Sequence, residues 1–255
     1  VALECQMFSG TKDMEKDDRG VWSITVKPDV PDIYPYAFQI DGTQVADPNN
    51  MHLFPNENFK YSLVDVRGEA PSVQDIQEGV PHGKVSYRYY YSKACGIERP
   101  MCVYTPAGYD PNGKEKLPVL YLIHGMTDTY ETWFKVGQMN NILDNMIAKG
   151  EAKRMIVVMP YANPYPEMIA QGKAQAYDAM DVKLTTKEFV EEVIPFIEKN
   201  YNVLKDADNR AIAGFSLGGR QTLAAGLGNP KLFHYVAAYA PAIFSEDEYK
   251  GNFEN

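Results

Sequence analysis

Apolar and polar positions change rhythm partway along the chain. In the first 66 residues they alternate: Trp22, Ile24 and Val26, then Tyr34, Tyr36, Phe38 and Ile40. Period two puts successive side chains on opposite faces of a strand, so both runs predict half-buried β-strands. Asp17-Asp18-Arg19-Gly20 and Asp41-Gly42 supply turns. Short strands at this spacing predict a small antiparallel β-sandwich over residues 1–66. After Val66, Gly68-Glu69-Ala70-Pro71-Ser72 opens a polar stretch that reads as a linker over 67–80.

From 81 to 255 the pattern is mixed. Val85, Tyr87, Tyr89 and Tyr91 alternate as a strand, Cys95-Gly96-Ile97 turns, and Met101 to Tyr104 returns as the hairpin partner. Val119-Leu120-Tyr121-Leu122-Ile123 and Met155 to Met159 are continuously apolar, as strands buried on both faces are. Met139, Ile142, Leu143, Met146 and Ile147 recur at helical spacing, and Gly150 closes that helix. Thr185-x-x-Glu188 has the form of a capping box opening a helix through Phe189, Val193, Ile194 and Ile197, with Pro195 kinking or breaking it. Ile212 leads a strand, Leu223 to Leu227 continue the helix behind it, and Tyr235 to Ala240 form a further strand. A leading hairpin followed by alternating strand and helix predicts an α/β three-layer sandwich.

The chain has 255 residues, 45% of them hydrophobic, enough for one large core or two smaller ones. The net charge of -9, with no basic run, argues against nucleic acid or an anionic membrane as partner. No apolar stretch approaches the roughly 18–20 residues of a membrane span. Cys5, Cys95 and Cys102 do not make a disulfide framework. They read as buried free thiols, although Cys95 and Cys102 stand where a hairpin could bring them face to face. No His/Cys/Asp spacing suggests a metal and no glycine-rich loop suggests a nucleotide, so no cofactor is expected.

Candidate chemistry centres on Ala211-Ile212-Ala213-Gly214-Phe215-Ser216-Leu217-Gly218-Gly219-Arg220. An apolar run, Gly-x-Ser-x-Gly and a helical pattern are the layout of a nucleophile elbow, which predicts Ser216 as a catalytic nucleophile. At the helix N-terminus, free N–H groups favour the negative charge that acyl transfer develops. Leu122-Ile123-His124-Gly125-Met126-Thr127-Asp128 ends the first long buried strand, where α/β sheets bind ligands. In this architecture one oxyanion N–H comes from that loop and the other from the residue after the serine. This assigns the backbone N–H groups of Met126 and Leu217. Trp133 and Tyr161 are candidate substrate-binding residues, with Tyr165 on the same loop as Tyr161. Asp128 reads as polar support for the oxyanion loop rather than as a catalytic acid, and Asp178 is a further residue open to that confusion. Trp22, Tyr34 and Tyr36 suit a sandwich core better than a sugar platform.

Several motifs in order carry a family resemblance. They are His124-Gly125, Glu131-Thr132-Trp133-Phe134, Val157-Val158-Met159-Pro160, Ile194-Pro195-Phe196-Ile197-Glu198 and Arg210 to Gly219. Together they resemble carbohydrate esterase family 1, the feruloyl and acetylxylan esterases. Gly20-Val21-Trp22, Tyr34-Pro35-Tyr36-Ala37-Phe38, Asp41-Gly42 and Asp47-Pro48-Asn49 resemble the immunoglobulin-like, carbohydrate-binding family 48 type module that precedes many such enzymes. The resemblance covers nearly the whole chain. It implies an α/β-hydrolase domain over 81–255 and hydrolysis of feruloyl or acetyl esters on plant xylan, outside the cell or in the periplasm.

A serine esterase also needs a base and an acid, which in this architecture follow the serine in the order Asp or Glu, then His. The chain has four histidines, and His52, His82 and His124 precede Ser216. His234 stands at the start of a strand, away from the expected site, and Glu246, Asp247 and Glu248 read as a solvated face. The triad's acid and histidine are therefore expected beyond residue 255, in a chain cut short at both ends and inactive as given. Alternatives on the same fold are a siderophore-type esterase and an acyltransferase. A carbohydrate-binding protein with an inactive hydrolase domain is the alternative from another class.

Overall fold

A computed structural model describes residues 1–175, 181–246 and 250. Asp178, Asp247, Glu248 and residues 251–255 lie outside the described residues.

The first 66 residues are all-β, with strands β1 (Ala2–Cys5), β2 (Thr11–Asp13), β3 (Glu15–Lys16), β4 (Trp22–Ser23), β5 (Asp32–Ile40), β6 (Thr43–Val45) and β7 (Ser62–Val66). β5 pairs antiparallel with β1 along one edge and with β6 and β7 in succession along the other. β2 extends the sheet beyond β1, and β3 with β4 forms a separate two-stranded ribbon. The alternation predicted through Ile24 and Val26 ends in strand form at Ser23. Its ladder with β3 covers only Trp22 and Ser23, so Ile24 and Val26 carry no strand pairing. Trp22 is 40% exposed, beneath the Lys16 ammonium, and is not core. On β5 the fully buried face belongs to Pro35 and Ala37, while Tyr34, Tyr36 and Phe38 are half-buried.

The polar stretch 67–80 is not a free tether. Asn145 Nδ2 donates to the carbonyls of Val73 and Asp75, and Asn141 Nδ2 to that of Gln74. Both asparagines lie on α2 (Met139–Ala148), preceded by the short α1 (Thr132–Lys135).

The larger sheet holds β8 (Lys84–Ser92), β9 (Ile97–Thr105), β10 (Val119–Ile123), β11 (Ile156–Pro160), β12 (Arg210–Phe215) and β13 (Tyr235–Tyr239), in the order β13-β12-β10-β11-β9-β8. β11, β10, β12 and β13 run parallel, and the β8–β9 hairpin joins antiparallel. α3 (Tyr165–Ala170), α4 (Val182–Glu188), α5 (Ile194–Asn200) and α6 (Leu217–Gly228) complete the fold. On one face Ile123, Val158 and Ile212 pack with Phe189, Val193, Ile197 and Ala225. On the other, Leu122, Val157 and Met159 pack with Leu143, Trp133 and Phe134. The strands are buried from both sides, which is why their sequences are continuously apolar. This is an α/β-hydrolase three-layer sandwich preceded by a small all-β module.

Two local expectations change. The helix expected to open at Thr185 begins three residues earlier, capped by Asp181, whose carboxylate accepts from Lys183 N at 2.9 Å. Thr185 and Glu188 sit inside it, and Glu188 turns inward to Arg99 and Tyr90. Pro195 neither kinks nor stops the helix alone: Phe189–Val193 form a π-turn before it and Pro195 lies in the first turn of α5. There its missing N–H costs little. Cys95 lies in the β8–β9 turn while Cys102 pairs with Tyr87, so these thiols do not face each other. Burial pushes both up to about 12. Among the described residues no helix is long and apolar enough to cross a membrane.

Candidate active site

Ser216 stands between β12 and α6 at φ 55°, ψ -117°, a left-handed backbone position that a non-glycine residue rarely adopts. Such a conformation costs about 1–3 kcal/mol and persists only where its surroundings over-determine it. Here they do. Ser216 N donates to Tyr239 O at 2.9 Å, and Ser216 O accepts from Arg220 N and Ala242 N. The flanking glycines are required by contact. A Cβ on Gly214 would lie 2.3 Å from Gly218 O, and one on Gly218 would lie 2.3 Å from His124 O. The backbone is fastened and the side chain is not: among the described residues the Ser216 hydroxyl has no hydrogen-bond partner, and the residue is half-buried.

β10 and β12 pair in register, Ile123 beside Gly214, so the chain leaving β10 runs past the elbow. Gly125 lies against the Phe215 ring, 3.2 Å from where a Cβ would be. The buried His124 ring has Nδ1 2.8 Å from Gly125 O and Nε2 3.0 Å from Ala162 N. An amide N–H only donates, so Nε2 accepts and Nδ1–H donates to Gly125 O. Burial pushes this imidazole down to about 4, against the opposing pull of the Gly125 carbonyl, so it is neutral at pH 7. In a trans peptide the carbonyl and the next N–H point opposite ways. Anchoring the Gly125 carbonyl on His124 therefore turns the Met126 N–H away from that ring. Among the described residues the N–H groups of Met126 and Leu217 have no hydrogen-bond acceptor. Both stand next to the serine elbow, one through the Gly125–Phe215 contact and the other as the first residue of α6.

The N-terminal module reaches this loop. Glu57 N donates to Thr127 O at 2.7 Å, and Asn56 Nδ2 donates to Thr127 Oγ1 at 2.9 Å and Asp128 Oδ1 at 3.4 Å. Thr127 is itself at φ 63°. Burial raises the Asp128 carboxyl above its ordinary range, and the Asn56 bond opposes that rise. The Glu57 carboxylate accepts from the Tyr161 hydroxyl and from Asn163 Nδ2, both on the loop after β11. The fully buried Arg99 bonds the carbonyls of Tyr161 and Asn163 and the carboxylates of Glu188 and Glu167. Gln221 on α6 donates to Ala162 O.

Ser216, Met126 and Leu217 are thus brought together. Tyr161 lies one ring away from them, 5.7 Å from His124, with its hydroxyl taken by Glu57. Trp133 is half-buried against Leu122, Leu143 and Met159 on the α2 face, with its indole N–H unpartnered among the described residues. Tyr165 is buried, its hydroxyl on Asp181. No histidine side chain hydrogen-bonds the serine: His52 is exposed, His82 faces Asp144, the His124 ring is bonded to Gly125 O and Ala162 N, and His234 pairs with Asp208 at the surface. Asn56, Glu57, Asn163 and Gln221 were not singled out in the sequence. They are isolated polar residues in loops and on one helix, and only the Asn-x-Asn form of Asn56-Glu57-Asn58 hints at a turn. Among the described residues no cluster of three or more His, Cys, Asp or Glu could hold a metal ion.

Residues 92–248, more than half of the chain, match the family named Esterase, described as "Putative esterase". The chain belongs to this esterase family. Across 246 residues, 93% of its length, it is 31% identical to an endo-1,4-beta-xylanase/feruloyl esterase of Xylanibacter ruminicola. It spans only 32% of that protein, about a third of the relative's length. An endo-1,4-beta-xylanase Y of Acetivibrio thermocellus is 30% identical over 210 residues, 78% of this chain and 17% of the relative. Among solved structures, a CE1 ferulic acid esterase of Anaeromyces mucronatus in complex with ferulic acid superposes with a TM-score of 0.58 at 29% identity. That likeness covers 69% of this chain and 71% of the other. The enterobactin esterase of Shigella flexneri covers 95% of this chain and 66% of its own at TM-score 0.66, with 16% identity, which speaks to the fold alone.

Proposed function

We propose that this chain carries the serine site of a carboxylesterase that hydrolyses feruloyl or acetyl esters on plant cell-wall xylan. Ser216 is the nucleophile, and the N–H groups of Met126 and Leu217 form the oxyanion hole. The observation that carries the reading is the Ser216 hydroxyl, without a hydrogen-bond partner among the described residues, on a strained and fastened elbow beside two amides that likewise have no acceptor among them.

In the first half-reaction Ser216 Oγ bonds to the ester carbonyl carbon and gives up its proton. The carbonyl oxygen becomes an oxyanion held by the two N–H groups. Collapse breaks the bond to the polysaccharide oxygen, which leaves with a proton, and an acyl-serine remains. Water then attacks the acyl-serine, and the acid and a free serine are released. None of the four histidines is within hydrogen-bond reach of Ser216, so the reading requires a histidine base, oriented by an acid, from elsewhere in the full-length protein.

Met126, 42% exposed, and Phe215, 46% exposed with its ring against Gly125, put open apolar surface on the loop and the elbow, which suits an aryl or small acyl group. The relatives named above support xylan as the polymer, and work on such a polymer suits an enzyme outside the cell or in the periplasm. Residues 1–66 are read as an immunoglobulin-like module of carbohydrate-binding type, 67–80 as its connection and 81–255 as the esterase domain. The test is product release from methyl ferulate, acetylated xylan and a siderophore lactone by the full-length protein and by Ser216→Ala. Xylan-type esters turned over only with the serine present is the expected result. Preference for the lactone would overturn the substrate, and equal turnover by the alanine variant would overturn the mechanism.

A further inference from the structure

We propose that Asn56 and Glu57, in the N-terminal β module, are positioning residues for the oxyanion loop, so that the module is a working part of the esterase site. The inference rests on the esterase reading above.

The loop Gly125–Asp128 has two holds. From within the hydrolase sheet, His124 anchors the Gly125 carbonyl. On its far side, the hold comes from a segment about 70 residues away in sequence. Asn56 forms an antiparallel bridge with Asp128, Glu57 N donates to Thr127 O, and Asn56 Nδ2 reaches both Thr127 Oγ1 and Asp128 Oδ1. Asn56 is 3% exposed, so its amide is committed to these partners and not to water. They surround Thr127, the loop's positive-φ residue, whose conformation needs outside support. One step before it lies the Gly125–Met126 peptide, whose orientation decides where the Met126 N–H points.

Glu57 adds a second connection. Its N–H holds the loop after β10, while its carboxylate holds Tyr161 and Asn163 on the loop after β11. One residue of the module therefore staples together two loops that flank the elbow. Asn56 Oδ1 meanwhile accepts from Asn58 N and Phe59 N, which fixes the segment's own turn.

The two ends of the Asn56 amide separate the roles. Asn56→Asp keeps the oxygen that shapes the turn, removes the N–H donors and sets a negative charge against Asp128. In the full-length protein, kcat and KM for p-nitrophenyl acetate and the thermal unfolding midpoint are measured for the parent, Asn56→Asp, Asn56→Ala and Ser216→Ala. Removing one oxyanion donor outright costs about 10²–10³ in kcat, and a loosened donor costs less. Asn56→Asp is expected to lose about tenfold in kcat, with KM changed by less than about twofold and the folded state retained. Thr127→Gly, which accepts positive φ without help, should recover part of the loss when added to Asn56→Asp. A kcat within about twofold of the parent in folded Asn56→Asp and Asn56→Ala overturns the proposal. So does a loss that only tracks the unfolded fraction, or failure of both variants to fold. Should Ser216→Ala turn over as fast as the parent, it is the esterase reading that fails, whatever Asn56 does.

Discussion

Gly218, on the first turn of α6, rests its α-carbon against the carbonyl of His124 at the end of β10, and a Cβ there would stand 2.3 Å from that oxygen. The same contact joins the serine elbow to the loop after β10 that carries the proposed oxyanion donor Met126, because both residues border those features in sequence. Gly218→Ala should therefore push the two apart. We expect it to destabilise the protein by about 2–3 kcal/mol, as overpacking of a rigid contact does. Turnover should fall further than the folded fraction. Urea unfolding and steady-state rates on the same samples check this, and parent-like values in both would contradict the contact.

The oxyanion assignment to Met126 concerns its backbone only. The side chain is 42% exposed and reaches no polar partner that the reaction needs. Met126→Ala is expected to keep kcat within about threefold of the parent, against the 10²–10³ that a lost donor costs. KM for an aryl ester should rise as the apolar surroundings shrink. A collapse of kcat in this variant, measured by initial rates over a substrate series, would show that the side chain does the chemistry.

His124 makes a stability prediction with a definite sign. Its folded pKa is held down to about 4 from 6.5, chiefly by burial. Between those values the unfolded chain binds a proton that the folded chain refuses, so stability rises with pH across the window and is lost as pH falls through it. The full span corresponds to about 3 kcal/mol at the 1.36 kcal/mol per pKa unit of linkage. Protonation at Nε2 would also turn the acceptor for Ala162 N into a second donor. Urea unfolding of the parent and of His124→Asn from pH 7 to pH 4.5 should show a shallower acid loss in the variant. Equal slopes would mean that another group controls it.

The form of the elbow could be read from residue order, in part for a local reason. Gly214 is forced by the Gly218 carbonyl four residues on, whereas Gly218 is forced by His124 O at the end of β10, a distant contact that only the Gly-x-Ser-x-Gly pattern signalled. The buried parallel strands were likewise legible in Val119–Ile123 and the run around Met159, because burial on both faces leaves no polar position. Asn56 was not legible. Its partners are Thr127 and Asp128, and nothing in a polar loop residue says which distant loop it meets. Thr185 and Glu188 misled for a related reason. Their spacing has the form of a cap, but Glu188 is drawn inward by Arg99, and Asp181 caps the helix instead. The alternation at Ile24 and Val26 carried the right rhythm without a strand pairing.

The central claim is that one hydroxyl, that of Ser216, takes the acyl group. The most direct measurement is covalent labelling of the full-length protein with an organophosphorus fluoridate, read by intact mass and peptide sequencing. The account predicts one adduct per chain, on the peptide containing Ser216, with loss of esterase turnover in proportion and no adduct in Ser216→Ala. An adduct on another residue, or labelling of the alanine variant at the parent's rate, would contradict it.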